Sequence, residues 1–117
     1  MTQASIIKKY EIYILSIGKH ESSRIKQAVV IQTDLLNNTH VSTIICPIIE
    51  GVSETPLPTR IILKKSELNG LQKESQIMLD HIMTIPRHYL KEYVGQLSET
   101  QKEELVLKLN SLLIEDY

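Results

Sequence analysis

Ala28-Val29-Val30-Ile31 is an unbroken apolar run, entered through Arg24-Ile25-Lys26-Gln27 and closed by the polar Gln32-Thr33-Asp34. A short run rich in β-branched residues, apolar at every position, reads as a strand with both faces covered. The fold must therefore contain a sheet with packing on either side of this segment. The two cations at its mouth would be held rigidly where the strand emerges. Rigid placement of positive charge is what an anion-binding or phosphate-chemistry site requires. It is equally what the solvated end of any core strand looks like, since exposed Lys and Arg are the common case.

The other segments fit around that strand. With 117 residues the chain suits one domain, spanning 1–117, and is long enough to bury a core without staples. Tyr10-Glu11-Ile12-Tyr13-Ile14-Leu15-Ser16-Ile17 alternates loosely and predicts a first strand, with Met1 to Ile7 as a frayed lead-in. A polar loop follows, Gly18-Lys19-His20-Glu21-Ser22-Ser23. After the central strand, Asp34 to Asn38 predicts a turn or a single helical turn capped by Asp34. Ser42 to Ile49 is a second fully apolar strand, whose Pro47 implies a bulge or an edge position.

Gly51, Pro56 and Pro58 place a loop over Glu50 to Pro58, and Thr59-Arg60-Ile61-Ile62-Leu63 predicts another strand. Asn69-Gly70 marks a tight turn, Gln76 to Ile85 an extended stretch, Arg87 to Leu90 a short helical turn opened by Pro86, and Tyr93 to Leu97 a last short strand. The clearest helix closes the chain. Ser98 and Gln101 fit a capping box, and Leu105, Leu109 and Leu112 share a face with Val106 and Leu113 beside it. The expected architecture is mostly β with one C-terminal α-helix: a small, barrel-like, mostly antiparallel sheet with the helix against it.

Composition excludes several functions. The formal net charge is −1, so no bulk basic field exists and any nucleic-acid contact must come from a local patch. Cys46 is the one cysteine, which rules out a disulfide framework within the monomer; inside an apolar strand it reads as an inert packed thiol. His40 and His88 lack ligand-spaced partners, and no metal or other cofactor is expected. No signal peptide and no apolar stretch of membrane-spanning length is recognisable, so a cytoplasmic protein with no membrane partner is expected.

The order of segments resembles the MazF/PemK family of toxin ribonucleases nearly end to end. Tyr10-Glu11-Ile12-Tyr13 is similar to that family's opening strand, and Gly18-Lys19-His20-Glu21 to its Gly-x-Glu loop. Lys26 to Asp34 is similar to its Arg-Pro-Val-Val-Val-Ile-Gln-x-Asp strand, and Ile44 to Ile49 to the strand ending Pro-Ile-Thr. Pro58-Thr59-Arg60-Ile61 resembles Pro-Thr-His-Val. Gly70-Leu71 through Ser75 and Leu79 to Ile85 resemble Gly-Leu, Ser and Leu-Asp/Glu-Gln-Ile-Arg-Thr-Ile.

The resemblance implies an SH3-like barrel, a homodimer, and a cognate antitoxin that binds through a disordered C-terminal segment. It also implies metal-independent, sequence-specific cleavage of single-stranded RNA by attack of a ribose 2′-hydroxyl on its own phosphate, giving a cyclic phosphate. Such chemistry needs a base, a cation and an acid.

Carried over residue by residue, the resemblance departs from the pattern at several places. Lys26 stands at the arginine, Gln27 at its proline, Ile49 at the threonine, and His81-Ile82-Met83 at Gln-Ile-Arg. Some members are thought to use a loop histidine with an Arg-x-Asp pair; here Met78 stands at that arginine, whereas Asp80 and His20 match. Tyr10 stands at a glycine.

The site expected is therefore a reworked one. Lys26 and Arg24 hold the phosphate, His20 serves as base or acid, and Asp80 orients His20 or reads a base edge. Lys19, Ser22, Ser23 and Tyr13 are the expected RNA contacts; Tyr10, Tyr89 and Tyr93 are the other aromatic platforms. On a continuous strand Asp80 and His81 would point to opposite faces, making His81 structural. Two readings besides the slow nuclease stay open: a catalytically decayed homodimeric module binding RNA or an antitoxin peptide, and a topoisomerase-targeting toxin of the same fold.

Overall fold

A computed structural model describes residues 6–16, 25–52 and 57–115. Among these residues, seven strands appear in chain order with two helices: β1 Glu11–Leu15, β2 Gln27–Val30, α1 Asp34–Asn37, β3 Ser42–Glu50, β4 Arg60–Leu63, β5 Ser75–Met78, β6 Met83–Pro86, β7 Leu90–Gln96 and α2 Glu99–Leu113. Two 3-10 turns, Leu79–His81 and Arg87–Tyr89, flank β6. All pairings are antiparallel, in the spatial order β4-β5-β3-β2-β1-β7, with β6 also on β3. Mostly antiparallel sheet plus a C-terminal helix is the expected class. The edge strands β4 and β7 are not joined by a ladder among the described residues.

Strand β2 has the double-sided burial its composition demands. Val29 packs with Ile12, Cys46, Ile48, Ile61, Ile77 and Leu105 on one face. Ala28 and Val30 pack with Tyr13, Leu15, Ile45, Ile85 and Leu90 on the other. Each fully buried aliphatic side chain contributes roughly 1.5–3 kcal/mol relative to exposure, so neither face tolerates a polar residue.

Strand β3 is the hub. It pairs with β2 along Ile45 to Ile48 on one side, and on the other with β6 from Ser42 to Ile45 and with β5 from Ile48 to Glu50. Cys46 and Pro47 fall in the gap between those two partners. Pro47 is therefore neither on an edge strand nor called on as a donor to β5 or β6, and its missing N–H is tolerated in mid-sheet.

The polar residues after β2 form a buried lock. Asn37, fully buried, accepts from Gln32 Nε2 (3.1 Å) and from Thr43 Oγ1 (2.8 Å), and its own Nδ2 donates to the Gln32 carbonyl (2.9 Å). Thr33 rather than Asp34 caps α1, accepting from Leu35 N (3.3 Å). Asp34 instead accepts from Lys9 N (2.7 Å) and Asn37 Nδ2 (3.0 Å), pinning the segment before β1. That segment is not frayed at its end. Ile7 is 1% exposed, and its backbone exchanges hydrogen bonds with the Asn38 amide.

Tyr10 adopts φ +77°, a left-handed conformation that costs a non-glycine residue roughly 1–2 kcal/mol. Its N–H on Val30 O (2.7 Å) and its carbonyl on Leu97 N (3.1 Å) hold it there, with Lys9 and Lys102 ammonium groups over its ring at 5.1 and 5.3 Å.

Helix α2 has the expected capping box, Ser98 Oγ accepting from Gln101 N (3.2 Å) and Gln101 Oε1 from Ser98 N (2.9 Å). Its expected apolar face is buried only in part. Leu105 is buried and Leu109 packs beside it, whereas Val106, Leu112 and Leu113 are exposed.

The Asn69-Gly70 turn abuts β7 closely. Gln96 N donates to Leu68 O at 3.1 Å, and a Cβ on Gly95 would sit 2.4 Å from the Asn69 carbonyl carbon and oxygen. Gly95→Ala is expected to destabilise the fold by about 2 kcal/mol or more, because backbone rather than a flexible side chain must yield. Urea denaturation measures this, and an unchanged midpoint would show that the turn moves away freely.

Candidate functional site

Lys26 lies at the loop end of the β1–β2 hairpin, immediately before β2. Its carbonyl accepts from Leu15 N at 2.8 Å, Ser16 N donates to Tyr89 O at 2.9 Å, and the Lys26 side chain is exposed. The ladder thus fixes the cation's backbone while its ammonium reaches solvent. Ile49, one residue beyond the Gln27–Ile48 pair on the neighbouring strand, is half-buried and brings no hydroxyl. Lys19, His20, Ser22, Ser23 and Arg24 lie outside the described residues.

Asp80 does not extend a strand. The expected stretch from Gln76 to Ile85 breaks into β5, the Leu79–His81 turn and β6. A 3-10 turn rotates each residue by about 120° rather than alternating faces. Asp80 and His81 accordingly come together, with His81 Nε2 3.9 Å from Asp80 Oδ2, and the expected separation onto opposite faces is corrected. His81 is half exposed, not packed away. The other carboxylate oxygen of Asp80 pairs with Arg60 Nη1. Arg60 opens β4 with its side chain 15% exposed, and Nη1 also lies 3.4 Å from Thr59 Oγ1. Lys108 Nζ of α2 donates to the Arg60 carbonyl (3.1 Å) and pairs with Glu104 (3.3 Å).

Arg60 is the residue that the sequence reading missed. No local pattern marks it, since a cation opening a strand is ordinary; only the loss of an expected arginine elsewhere could have drawn notice to it.

Tyr13 is not a stacking platform. Its ring is 1% exposed, its hydroxyl donates to Glu11 Oε1 (2.8 Å), and burial followed by that hydrogen bond raises its pKa above the ordinary phenol value. Tyr93, edge-on to it at 5.9 Å, is 50% exposed and is the aromatic that this part of β7 shows to solvent.

Beside the Asp80 turn, a groove of about 450 Å³ runs between Pro58, Thr59 and Leu79 on one side and Lys108, Ser111 and Leu112 of α2 on the other. Among the described residues no three His, Cys, Asp or Glu side chains converge as a metal site would require. Nor is any helix there long and apolar enough to cross a membrane.

A family model described as PemK-like, MazF-like toxin of type II toxin–antitoxin system matches residues 8–113. The chain belongs to this family. It is 27% identical over 103 residues to the endoribonuclease MazF of Staphylococcus epidermidis, covering 86% of this chain and 85% of that one. The fold matches the Mycobacterium tuberculosis toxin MazF-mt6 with a TM-score of 0.73 at 20% identity, over 92% of this chain and 99% of the other. It also matches a mycobacterial endoribonuclease solved with its cognate antitoxin, with a TM-score of 0.76 at 14% identity over 95% and 98%.

Cys46 packs under the same turn. Burial, reinforced by the Asp80 charge, pushes its thiol up to about 12 from an ordinary 9.0. The unfolded chain loses this proton first, so the thiol's contribution to folding stability is fully present below pH 9 and is lost as pH rises toward about 12. Tyr13 acts in the same direction at higher pH. Cys46→Val is expected to flatten the alkaline loss measured by urea titration between pH 8 and about 11. In the native protein the thiol should be inert to disulfide reagents at pH 8 and react only on unfolding; rapid native reaction would contradict this.

Proposed function

We propose that this chain is the toxin of a type II toxin–antitoxin pair and cuts single-stranded RNA at specific short sequences without a metal. The ribose 2′-oxygen attacks the adjacent phosphorus as its proton passes to a base. The bond from phosphorus to the 5′-oxygen breaks, and that oxygen takes a proton from an acid. The products are a 2′,3′-cyclic phosphate and a 5′-hydroxyl. The observation that carries the reading is Lys26: a solvent-facing cation on a backbone fixed by the hairpin ladder, at the family's arginine position. In this reading Lys26 and Arg24 bind the phosphate and His20 transfers a proton.

The site is expected to be slow. Lysine offers a point charge where arginine offers a two-pronged donor, and Ile49 supplies no hydroxyl. Loss of one such donor typically costs two to three orders of magnitude in rate. Ile49 is also the observation that favours the second reading, a homodimeric module that binds RNA or an antitoxin peptide without cutting. For the partners, the antitoxin complex of a structural neighbour and the exposed apolar second half of α2 support a cognate antitoxin and self-association.

Purified protein incubated with a mixed single-stranded RNA in EDTA should give 5′-hydroxyl and cyclic-phosphate ends. Lys26→Ala and His20→Ala should each reduce the cut by about 100-fold or more. Absence of any scission by folded protein, with RNA or antitoxin-peptide binding retained, would replace the nuclease by the binding module.

A further inference from the structure

Two observations outside the expected site converge on Arg60. The first is register. Arg60 is the cross-strand partner of Met78, the position at which one version of the family pattern has an arginine. In an antiparallel pair, directly opposed residues share a face with Cβ atoms about 5 Å apart. A guanidinium at Arg60 can therefore occupy the space over the sheet that one at position 78 would occupy.

The second observation is how that guanidinium is held. Nη1 is engaged by Asp80 and lies near Thr59 Oγ1, while Nε and Nη2 make no hydrogen bond among the described residues. No fully buried side-chain nitrogen or oxygen among those residues lacks a partner, so the unengaged edge reaches solvent. A largely covered arginine, anchored by one nitrogen and presenting its other two outward, is pre-organised for a bidentate anion.

The face is also the right one. Ile61, Ile77 and Ile48 lie in register across β4, β5 and β3 and point into one core, and Gln27 pairs with Ile48. Alternation then puts Arg60 and Lys26 together on the opposite face. An ion pair that served folding alone would gain nothing from this placement.

We infer that Arg60 is a phosphate-binding residue of the RNA site, supplied by β4 in place of the arginine absent from β5, with Asp80 as its positioning residue. The inference rests on the nuclease reading for its substrate, single-stranded RNA, and on the structure for its residue. Lys26 and Arg60 would then contact separate phosphates of one strand laid across this face. The Arg60–Asp80 pair replaces, from the neighbouring strand, a pair that in the family pattern comes from a single strand.

The test uses the intact protein, a cleavable single-stranded RNA, and the same oligonucleotide with 2′-deoxy substitutions for binding across a salt series. Arg60→Met should lower kcat/KM by about 100-fold and reduce the slope of log affinity against log salt by about 0.7, the value for one phosphate contact on a single strand. Met78→Arg added to Arg60→Met should return cleavage to within about tenfold of the parent, because the guanidinium is back over the same sheet position. Arg60→Lys should keep the salt slope while losing rate.

Thermal melts and circular dichroism accompany each variant. If Arg60→Met will not fold, Arg60→Lys and the double variant carry the same comparison. A folded Arg60→Met with parental cleavage and salt slope overturns the inference, as does a double variant that regains stability but neither rate nor slope. If the parent binds RNA but does not cut it, the nuclease reading falls and the salt slope alone decides Arg60. If the parent neither binds nor cuts, both fall.

Discussion

Everything in this fold hangs on β3 having more partners than a strand has edges. Its one side is taken by β2, and its other is shared end to end by β6 and β5. Those partners meet end to end, and the Leu79–His81 turn lies between them. Pro47 lies at this break, where a donor would have no acceptor on either partner. The position of Asp80 is therefore a consequence of where the edge changes partners.

That geometry has an electrostatic consequence. The exposed carboxylate at that turn raises the pKa of the buried Cys46 thiol and attracts a counter-charge. Arg60 provides it across the β4–β5 side of the sheet, and Lys108 ties the same β4 residue to α2. Such a half-covered pair contributes only about 1 kcal/mol net, since desolvation offsets most of the attraction. Stability alone gives little reason to maintain it. The value of the pair lies in orientation: it fixes one nitrogen of a guanidinium and leaves the others free.

The strands and the helix were legible because their signals are local and periodic. The Ala28 to Ile31 run reads as a two-sided strand, and Ser98 with Gln101 as the start of a helix. The extended reading of Gln76 to Ile85 failed at Leu79, where the apolar alternation continues through residues that the backbone folds into a turn. Periodicity cannot see such a break, because a 3-10 turn of three residues is shorter than the window over which a period is read. Tyr13 was misplaced for a related reason. Alternation assigns it a face, but both faces of β1 near it are covered, and only the tertiary packing of Leu90 and Ile7 reveals that. Thr33 and Asp34 exchanged roles because either can cap; the deciding fact was the distant Lys9 amide that Asp34 satisfies.

The site was legible only as a set of departures. Lysine for arginine, isoleucine for threonine and methionine for arginine each read as a loss when the chain is treated as a string. In the folded sheet, the third loss faces a gain, since Arg60 and Met78 are opposite one another on the consecutive paired strands β4 and β5. Charge needed at a point in space can be supplied by any strand whose register reaches that point, and an antiparallel pair gives two such positions. The sequence pattern of a site is thus less constrained than its geometry. A chain that looks stripped of cations along one strand can keep them over the same part of the sheet, provided that a carboxylate such as Asp80 is there to aim the replacement.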